Sequence, residues 1–479
     1  MSRCFLTIRT TALALLAAVS TMAPATAAVY QPTTSAELRD AVTAANQSPG
    51  FDAIVLGAGT FAVSGASGED LNASGDLDIL DDLAIVGAGA DRTFLEGSAD
   101  RVLDIHAGAT VEITGVTIRN GRLQASGDGA GVRNAGELTL SRVQVSGNQA
   151  NGGAGGGIHS SGNNSSLTIA QSAITGNTAG SVGGGIALDG AMTLTDSTIS
   201  GNSAGTIGGG LYSFDNSDAE IVNVTITANQ AATQAGGLFA EVTPFLTTDR
   251  PVLSNTILAG NTAPADRDCG GGPASAGHNL LGVGGTCIGF TATGDLVGTV
   301  ATPRDAKLGP LANNGGTTPT HALLAGSPAL GAGGDCTDTD QRGQARLGIP
   351  CDIGAFELGT DCITGGPTLC LNGDRFRVTV SFKTGTGQTG SGQAVALTPD
   401  TGYFWFFDPN NVEVTVKVLN GCGFNQRFWA FLAGMTNVEV TMTVTDTATG
   451  QTKTYTNPQG RTFRTILDTN AFASCGVTP

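Results

Sequence analysis

The sequence predicts an all-β protein: a right-handed parallel β-helix closed at its start by a short helix, followed by a C-terminal β-sandwich. Three observations carry this. An apolar motif recurs every 25 to 32 residues between positions 138 and 261, and such self-similarity is the signature of stacked repeats. No helical 3.6-residue period accompanies it. Composition agrees, with 72 glycines in 479 residues and only 13% charged side chains, where ordinary domains hold about 7% glycine and 25% charge. Helical bundles and coiled coils are thereby excluded. At 40% hydrophobic the chain is too apolar to remain disordered.

The motif reads LTLSRVQVSGN, LTIAQSAITGN, MTLTDSTISGN, AEIVNVTITAN and PVLSNTILAGN. Superposition puts Leu140, Ile169, Leu194, Ile221 and Leu253 in one column and Val145, Ile174, Ile199, Ile226 and Leu258 in a second. Ile113 and Ile118 extend both upstream. Coils stacked at about 4.8 Å would align such columns as an interior filling. A third column, Asn148, Asn177, Asn202, Asn229 and Asn261, suits a hydrogen-bonded asparagine ladder at a bend. Glycine runs at 155–157, 183–185, 208–210 and 236–237 would supply positive φ at corners. No lysine-bearing phosphate-loop word follows them.

In chain order, residues 1–28 read as a secretory signal: Arg3 and Arg9, an apolar run from Ala12 to Val19, then Ala25-Thr26-Ala27-Ala28. Without it, 21 basic residues face 40 acidic ones, a balance against nucleic-acid or anionic-membrane partners. No later apolar stretch is long enough for a transmembrane segment. The β-helix is placed at 29–360. Its N-terminal cap, 33–48, opens on the capping box Thr34-Ser35-Ala36-Glu37, with Leu38, Val42 and Ala45 on one apolar helical face. The solenoid's end segment is 308–357, a linker spans 361–371, and the sandwich covers 372–479. That last region holds 14 of the 25 aromatic residues and the alternating runs RFRVTVSF, VEVTVKVL and VEVTMTVTD, suggesting seven or eight antiparallel strands.

All eight cysteines beyond Cys4 follow residue 268. Neighbour pairing in an oxidising compartment would join Cys269 with Cys287, Cys336 with Cys351, Cys362 with Cys370, and Cys422 with Cys475, although eight cysteines allow 105 pairings.

Several of these words carry resemblances. The GG[A/G]I and terminal-asparagine repeats over roughly 110–265 resemble those of polymorphic outer membrane proteins, a bacterial passenger-type β-helix. SAELRDAVTAANQSPGFDAIVLGAGTF is similar to the start of the CSLREA domain family of secreted bacterial β-helices, whose eponymous cysteine has no counterpart here. LGPLANNGGTTPTHALLAGSPALGAGGDC, then DQRG and CDIGAFE, resembles the choice-of-anchor Q domain, which ends bacterial surface β-helices and implies no activity. The C-terminal region resembles an uncharacterised module of secreted bacterial proteins.

These patterns point to an exported, non-enzymatic adhesion or binding protein, extracellular or at the cell surface, whose partner is a polysaccharide or cell-surface ligand. The alternative is a lyase or hydrolase of pectate-lyase-like type, which needs clustered carboxylates with a base or Ca²⁺. Asp189 and Asp215, nearly equivalent one coil apart, are the catalytic candidates. Asp196 falls in a different column, with Arg142, Gln171, Asn223 and Asn255, whose mixed chemistry reads as solvent-facing. The lyase word Arg-x-Pro-x-x-Arg and the hydrolase words Asn-Thr-Asp and Gly-His-Gly do not occur, and His106, His159, His278 and His321 are scattered. No cofactor is expected. Were a metal held, Asp70, Asp76 and Asp78 in the acidic run EDLNASGDLDILDD would suit Ca²⁺. Asp340, Arg342, Asp352 and Glu357 read as ion pairs locking an end cap. In Tyr403-Phe404-Trp405-Phe406-Phe407, alternate rings would fill a sandwich core or, facing outward, stack on sugars.

Overall fold

The computed structural model describes residues 27–475 apart from 66–67, 69–70, 125–126, 216, 243–249, 288, 325, 347–349, 359–364, 374 and 448–450. The expected signal segment thus lies almost wholly outside the described residues, as do Asp70 and Cys362.

The chain winds into a parallel β-solenoid of about nine turns. One coil runs Val132–Asn134, Glu137–Ser141, Gln144–Ser146 and Gln149–Ala150. The first two strands belong to a broad sheet as two side-by-side rows, which fuse in Ile158–Ala170 and Ile186–Thr195. The third belongs to a second sheet of ten strands and the fourth to a short sheet of five. The apolar columns align in register, Leu140 with Ile113 and Ile169, Val145 with Ile118 and Ile174. All ten column members of the repeat are at most 1% exposed. Each is worth about 1.5–3 kcal/mol on burial, which no single coil could secure alone.

Two kinds of glycine shape the corner between the short and broad sheets. Gly183 has φ +65° and a side chain there would strike the Ile186 carbonyl, so it makes the turn. Gly185 has no such torsion, but a Cβ would lie 2.5 Å from the Gly210 carbonyl of the next coil. It is small so that coils can approach.

At the bend after the second sheet, each asparagine Nδ2 donates to the Oδ1 of the next coil's asparagine, from Asn148 to Asn177, Asn202, Asn229 and Asn261, at 2.9–3.0 Å. Each Nδ2 also reaches a backbone carbonyl of the previous coil, and each backbone N–H donates to the next Oδ1. All the amides therefore point the same way. The series ends on Asp268, a pure acceptor, whose Oδ1 takes both Asn261 donors and whose Oδ2 takes the Val283 N–H.

Helix α1, Ser35–Ala45, begins with the expected capping box. It buries Leu38, Ala41, Val42 and Ala45 in the same core as Ile54, Phe61 and Leu77 of the first coils, so its apolar face covers the solenoid's opening.

Residues 308–357 correct the expected end cap: the segment returns along the solenoid's flank. The column Gln171, Asp196, Asn223, Asn255, His278 sits at left-handed corners, φ +43° to +57°, and the strap crosses it in reverse coil order. His278 Nδ1 meets the Ala332 carbonyl, Asn255 Oδ1 takes the Gly334 N–H, and Asn223 and Asp196 bond the Thr337 hydroxyl. Gln171 Nε2 donates to Thr339 and to the Asp340 carbonyl. Asp196, Asn223 and Asn255 are accordingly buried, where sequence placed them in solvent. Ile257 and Leu280, on the outer surface of the second sheet, join Leu323, Ala329, Ile353 and Phe356 of the strap in a second core.

The strap's charges are paired. Arg342 holds Asp340 at 2.8 Å, and Arg346 holds both Asp196 and Glu357 at 3.0 Å. Burial pushes Asp196, Asp352 and Glu357 above the usual carboxylate range.

Two five-stranded antiparallel sheets share the C-terminal core built on Phe376, Phe404, Phe428 and Phe472. They exceed the expected seven or eight strands. Thr368–Leu371, placed by sequence in the linker 361–371, is instead a strand paired with Phe376–Lys383. Disulfides join Cys269 to Cys287, Cys336 to Cys351 and Cys422 to Cys475. Cys370 is disulfide-bonded as well.

Candidate functional site

With the strap lying over later coils of the second sheet, the second row of the broad sheet is a solenoid face left open to solvent. Side chains alternate along a strand, so every other residue faces out. Register stacks three outward columns over five coils: Thr110, Glu137, Ser166, Ala191, Asp218; Glu112, Thr139, Thr168, Thr193, Glu220; and Thr114, Ser141, Ala170, Thr195, Val222. None of these positions is buried. Eight of the fifteen are Ser or Thr, four are Asp or Glu, and none is Lys, Arg, His or aromatic. Acidic side chains stand only at its two ends and one edge. A cavity of about 180 Å³ opens on it between Thr168, Thr193 and Glu220.

Asp189 and Asp215 follow paired strand segments on adjacent coils, where Leu188 stands beside Ser213. Asp189 is exposed in the strand Ile186–Thr195, opposite Ser161. Asp215 lies past Leu211–Ser213, its N–H donating to Glu241 at 3.3 Å. The asparagine ladder lies inside the coils, at most 3% exposed, and is not a ligand surface.

Sequence reasoning missed a charged group on the broad sheet's first row. Asp78, Asp104, Arg133 and His159 stand side by side on four successive coils. The signal was present: Leu-Asp-Ile occurs at 77–79 and again at 103–105. Arg101 donates to Asp76 at 3.1 Å and to Asp104 at 3.0 Å, while Arg133 Nε donates to the other Asp104 oxygen at 2.8 Å. Asp78 takes the Asn72 N–H at 2.8 Å and lies 3.2 Å from His106 Nε2. Burial, with help from Asp100, pushes Asp76 up to about 7. Burial also lowers His159 from its ordinary value, against the attraction of Asp128 and Asp189.

Of the proposed metal ligands, Asp78 joins Asp104 and His106 with ligand atoms within 4.8 Å of one another, the one such group among the described residues. Asp76 turns instead to Arg101, and Asp70 lies outside the described residues. Ca²⁺ takes six to eight oxygens, whereas both Asp104 oxygens are already held by guanidinium groups. The arrangement is that of a buried ion-pair network.

In the C-terminal unit Phe404 and Phe406 are buried, while Tyr403 and Trp405, between them, are half-buried. Trp429 and Phe431 are half-buried likewise, and Phe424, 84% exposed, packs against Trp429. The aromatic run thus supplies the core with one face and leaves rings on the other.

No curated protein and no solved structure matches the chain. Residues 102–263, about a third of it, match the family described as "Right handed beta helix region", so these stacked coils form a right-handed parallel β-helix.

Proposed function

We propose that this is an exported, extracellular or cell-surface binding protein, without catalytic activity, whose solenoid wall holds a polysaccharide. The observation that carries this reading is the hydroxyl-rich wall, in which Thr139, Thr168 and Thr193 stack over three successive coils. Coils repeat at about 4.8 Å, close to the length of one sugar residue, so an extended glycan lying across them would meet an equivalent hydroxyl at Thr139, Thr168 and Thr193. The wall's strands are fixed by the apolar columns behind them, which keeps the ordering cost of binding low. Resemblance to secreted and surface-borne β-helices, the disulfides, and the lack among the described residues of a helix long and apolar enough to cross a membrane support an extracellular setting.

The test is retention on a panel of insoluble glycans, comparing the unaltered protein with Thr168→Tyr and Thr193→Tyr. Both positions are exposed, so folding should be kept while binding weakens at least tenfold. Failure of every glycan to retain the protein, or equal retention of the variants, would overturn the reading.

A second reading, a polysaccharide lyase or hydrolase, is favoured by one observation: carboxylates, arginines and histidines converge around Asp104. Release of unsaturated uronate, followed by ultraviolet absorbance and lost in Asp104→Asn, would support it. Loss in Asp189→Ala or Asp215→Ala would move the site to those turns.

A further inference from the structure

Where the last coils give way to the strap, a cavity of about 390 Å³ opens against the second sheet. Thr227, Ala259, Gly282 and Val283 form its floor, and Arg267, Arg304 and Lys307 line it with Asp268 and Asp305. The three cations differ from the arginines of the solenoid's and the strap's ion pairs. Arg101, Arg119, Arg133, Arg342 and Arg346 are each matched to a carboxylate. Among the described residues Arg267, Arg304 and Lys307 form no such pair within 4.0 Å, and all three are exposed.

The two acids of the cavity are already engaged. Asp268 is buried and accepts from the backbone and side-chain amides of Asn261 and from the Val283 N–H. Asp305 Oδ1 accepts the Lys307 N–H at 2.8 Å. Three cations consequently gather about one opening in a chain of formal charge −17, with the local carboxylates turned toward amides. Amides are neutral, so the cavity lining sets three cations against two carboxylates, and an incoming anion would balance the excess positive charge.

We infer that this cavity is an anion-binding site that takes the carboxylate or sulfate group of an acidic polysaccharide. The anion site stands on the cavity alone; its polymeric ligand rests on the glycan-binding reading above. Arginine forks suit both groups bidentately, and Lys307 adds a mobile point charge.

The test titrates glucuronate, and separately inorganic sulfate, into the full chain by calorimetry. It also measures retention on a uronate polymer, a sulfated glycan and a neutral glucan. The variant is Arg267→Gln/Arg304→Gln/Lys307→Gln, whose exposed positions should leave the unfolding midpoint unchanged. Expected are binding of at least one small anion, weakened tenfold or more in the triple variant and by added salt, and a matching loss on the acidic polymer with no change on the neutral one. Preference for glucuronate assigns the carboxylate; preference for sulfate assigns the sulfate ester. Absence of any millimolar anion binding, or a triple variant that binds as the unaltered protein does, overturns the site. Thr168→Tyr separates the two proposals: it should weaken retention on glycans at least tenfold while leaving glucuronate or sulfate binding intact.

Discussion

Asn202→Ala removes one rung from the middle of the ladder, and its cost can be worked bond by bond. Asn202 Oδ1 accepts from the backbone N–H and from Nδ2 of Asn177, each at 2.9 Å. Its Nδ2 donates to the Ile174 carbonyl and to Asn229 Oδ1, again at 2.9 Å. After truncation Asn177 Nδ2 retains the Val145 carbonyl, and Asn229 Oδ1 retains the Asn202 N–H. The Asn177 N–H loses the acceptor it has here and lies where water does not reach. An orphaned buried group costs about 1–3 kcal/mol and a lost partial contact about 0.5–1, giving about 3 kcal/mol in all. Guanidinium unfolding at 25 °C would read this as a lower midpoint. Hydrogen exchange across residues 174–229 would show whether the loss stays local, since solenoid coils couple chiefly to their neighbours. Asn202→Asp should be worse at neutral pH than alanine, because an anion would then face the Ile174 carbonyl and Asn229 Oδ1; acid should relieve it by restoring a donor. A loss below about 0.5 kcal/mol for Asn202→Ala, no greater than that of the surface control Thr168→Ala, would refute the argument that the ladder holds the bend.

Three further outcomes are expected. Arg346→Ala leaves Asp196 and Glu357 as buried carboxylates without their guanidinium, a loss of about 3–5 kcal/mol; limited proteolysis should then cut within 308–357 while the coils stay protected. Asp76 binds its proton more tightly folded than unfolded, its pKa rising from 3.8 to about 7. It therefore favours the folded chain most in acid, and that contribution is lost as pH rises from about 4 to about 7, by at most about 1.4 kcal/mol per unit. Unfolding midpoints at pH 4.5 and 7.5 should differ less in Asp76→Asn than in the unaltered protein. Joint replacement of Cys422 and Cys475 by serine opens a loop of separation 53, worth about 4 kcal/mol by chain entropy, and calorimetry should show the C-terminal transition displaced to lower temperature.

What the sequence disclosed and what it withheld divide along one physical line. Leu140, Val145 and Asn148 recur because each coil repeats the same environment, so the interior could be read by aligning the chain with itself. The strap repeats nothing. Asp196 meets Thr337 and Arg346 across 141 and 150 residues, and a corner residue chosen to suit one passing segment looks as variable as a residue in water. Mixed chemistry in the column of Gln171, Asp196, Asn223 and Asn255 therefore signalled a different partner on each coil. The charged row was hidden for a related reason: Asp78 and Asp104 repeat, but Arg133 and His159 replace them on the next coils, turning a column of like residues into one of complementary ones.

The same line separates the surfaces on which function can rest. Along the second sheet, outward positions are tied to the strap, and a change such as Thr225, whose hydroxyl accepts the Ala355 N–H at 3.0 Å, would disturb packing first. Along the hydroxyl wall no side-chain hydrogen bond ties Thr139, Thr168 or Thr193 to another segment among the described residues, yet they keep a common chemistry over three coils. Strand pairing alone does not require it, since Ala, Val and Glu occupy the same columns at either end. Three stacked hydroxyls on an outward column are what an external, periodic ligand would use, and the wall variants Thr168→Tyr and Thr193→Tyr place the disturbance at exposed positions where stability should be indifferent and binding should not.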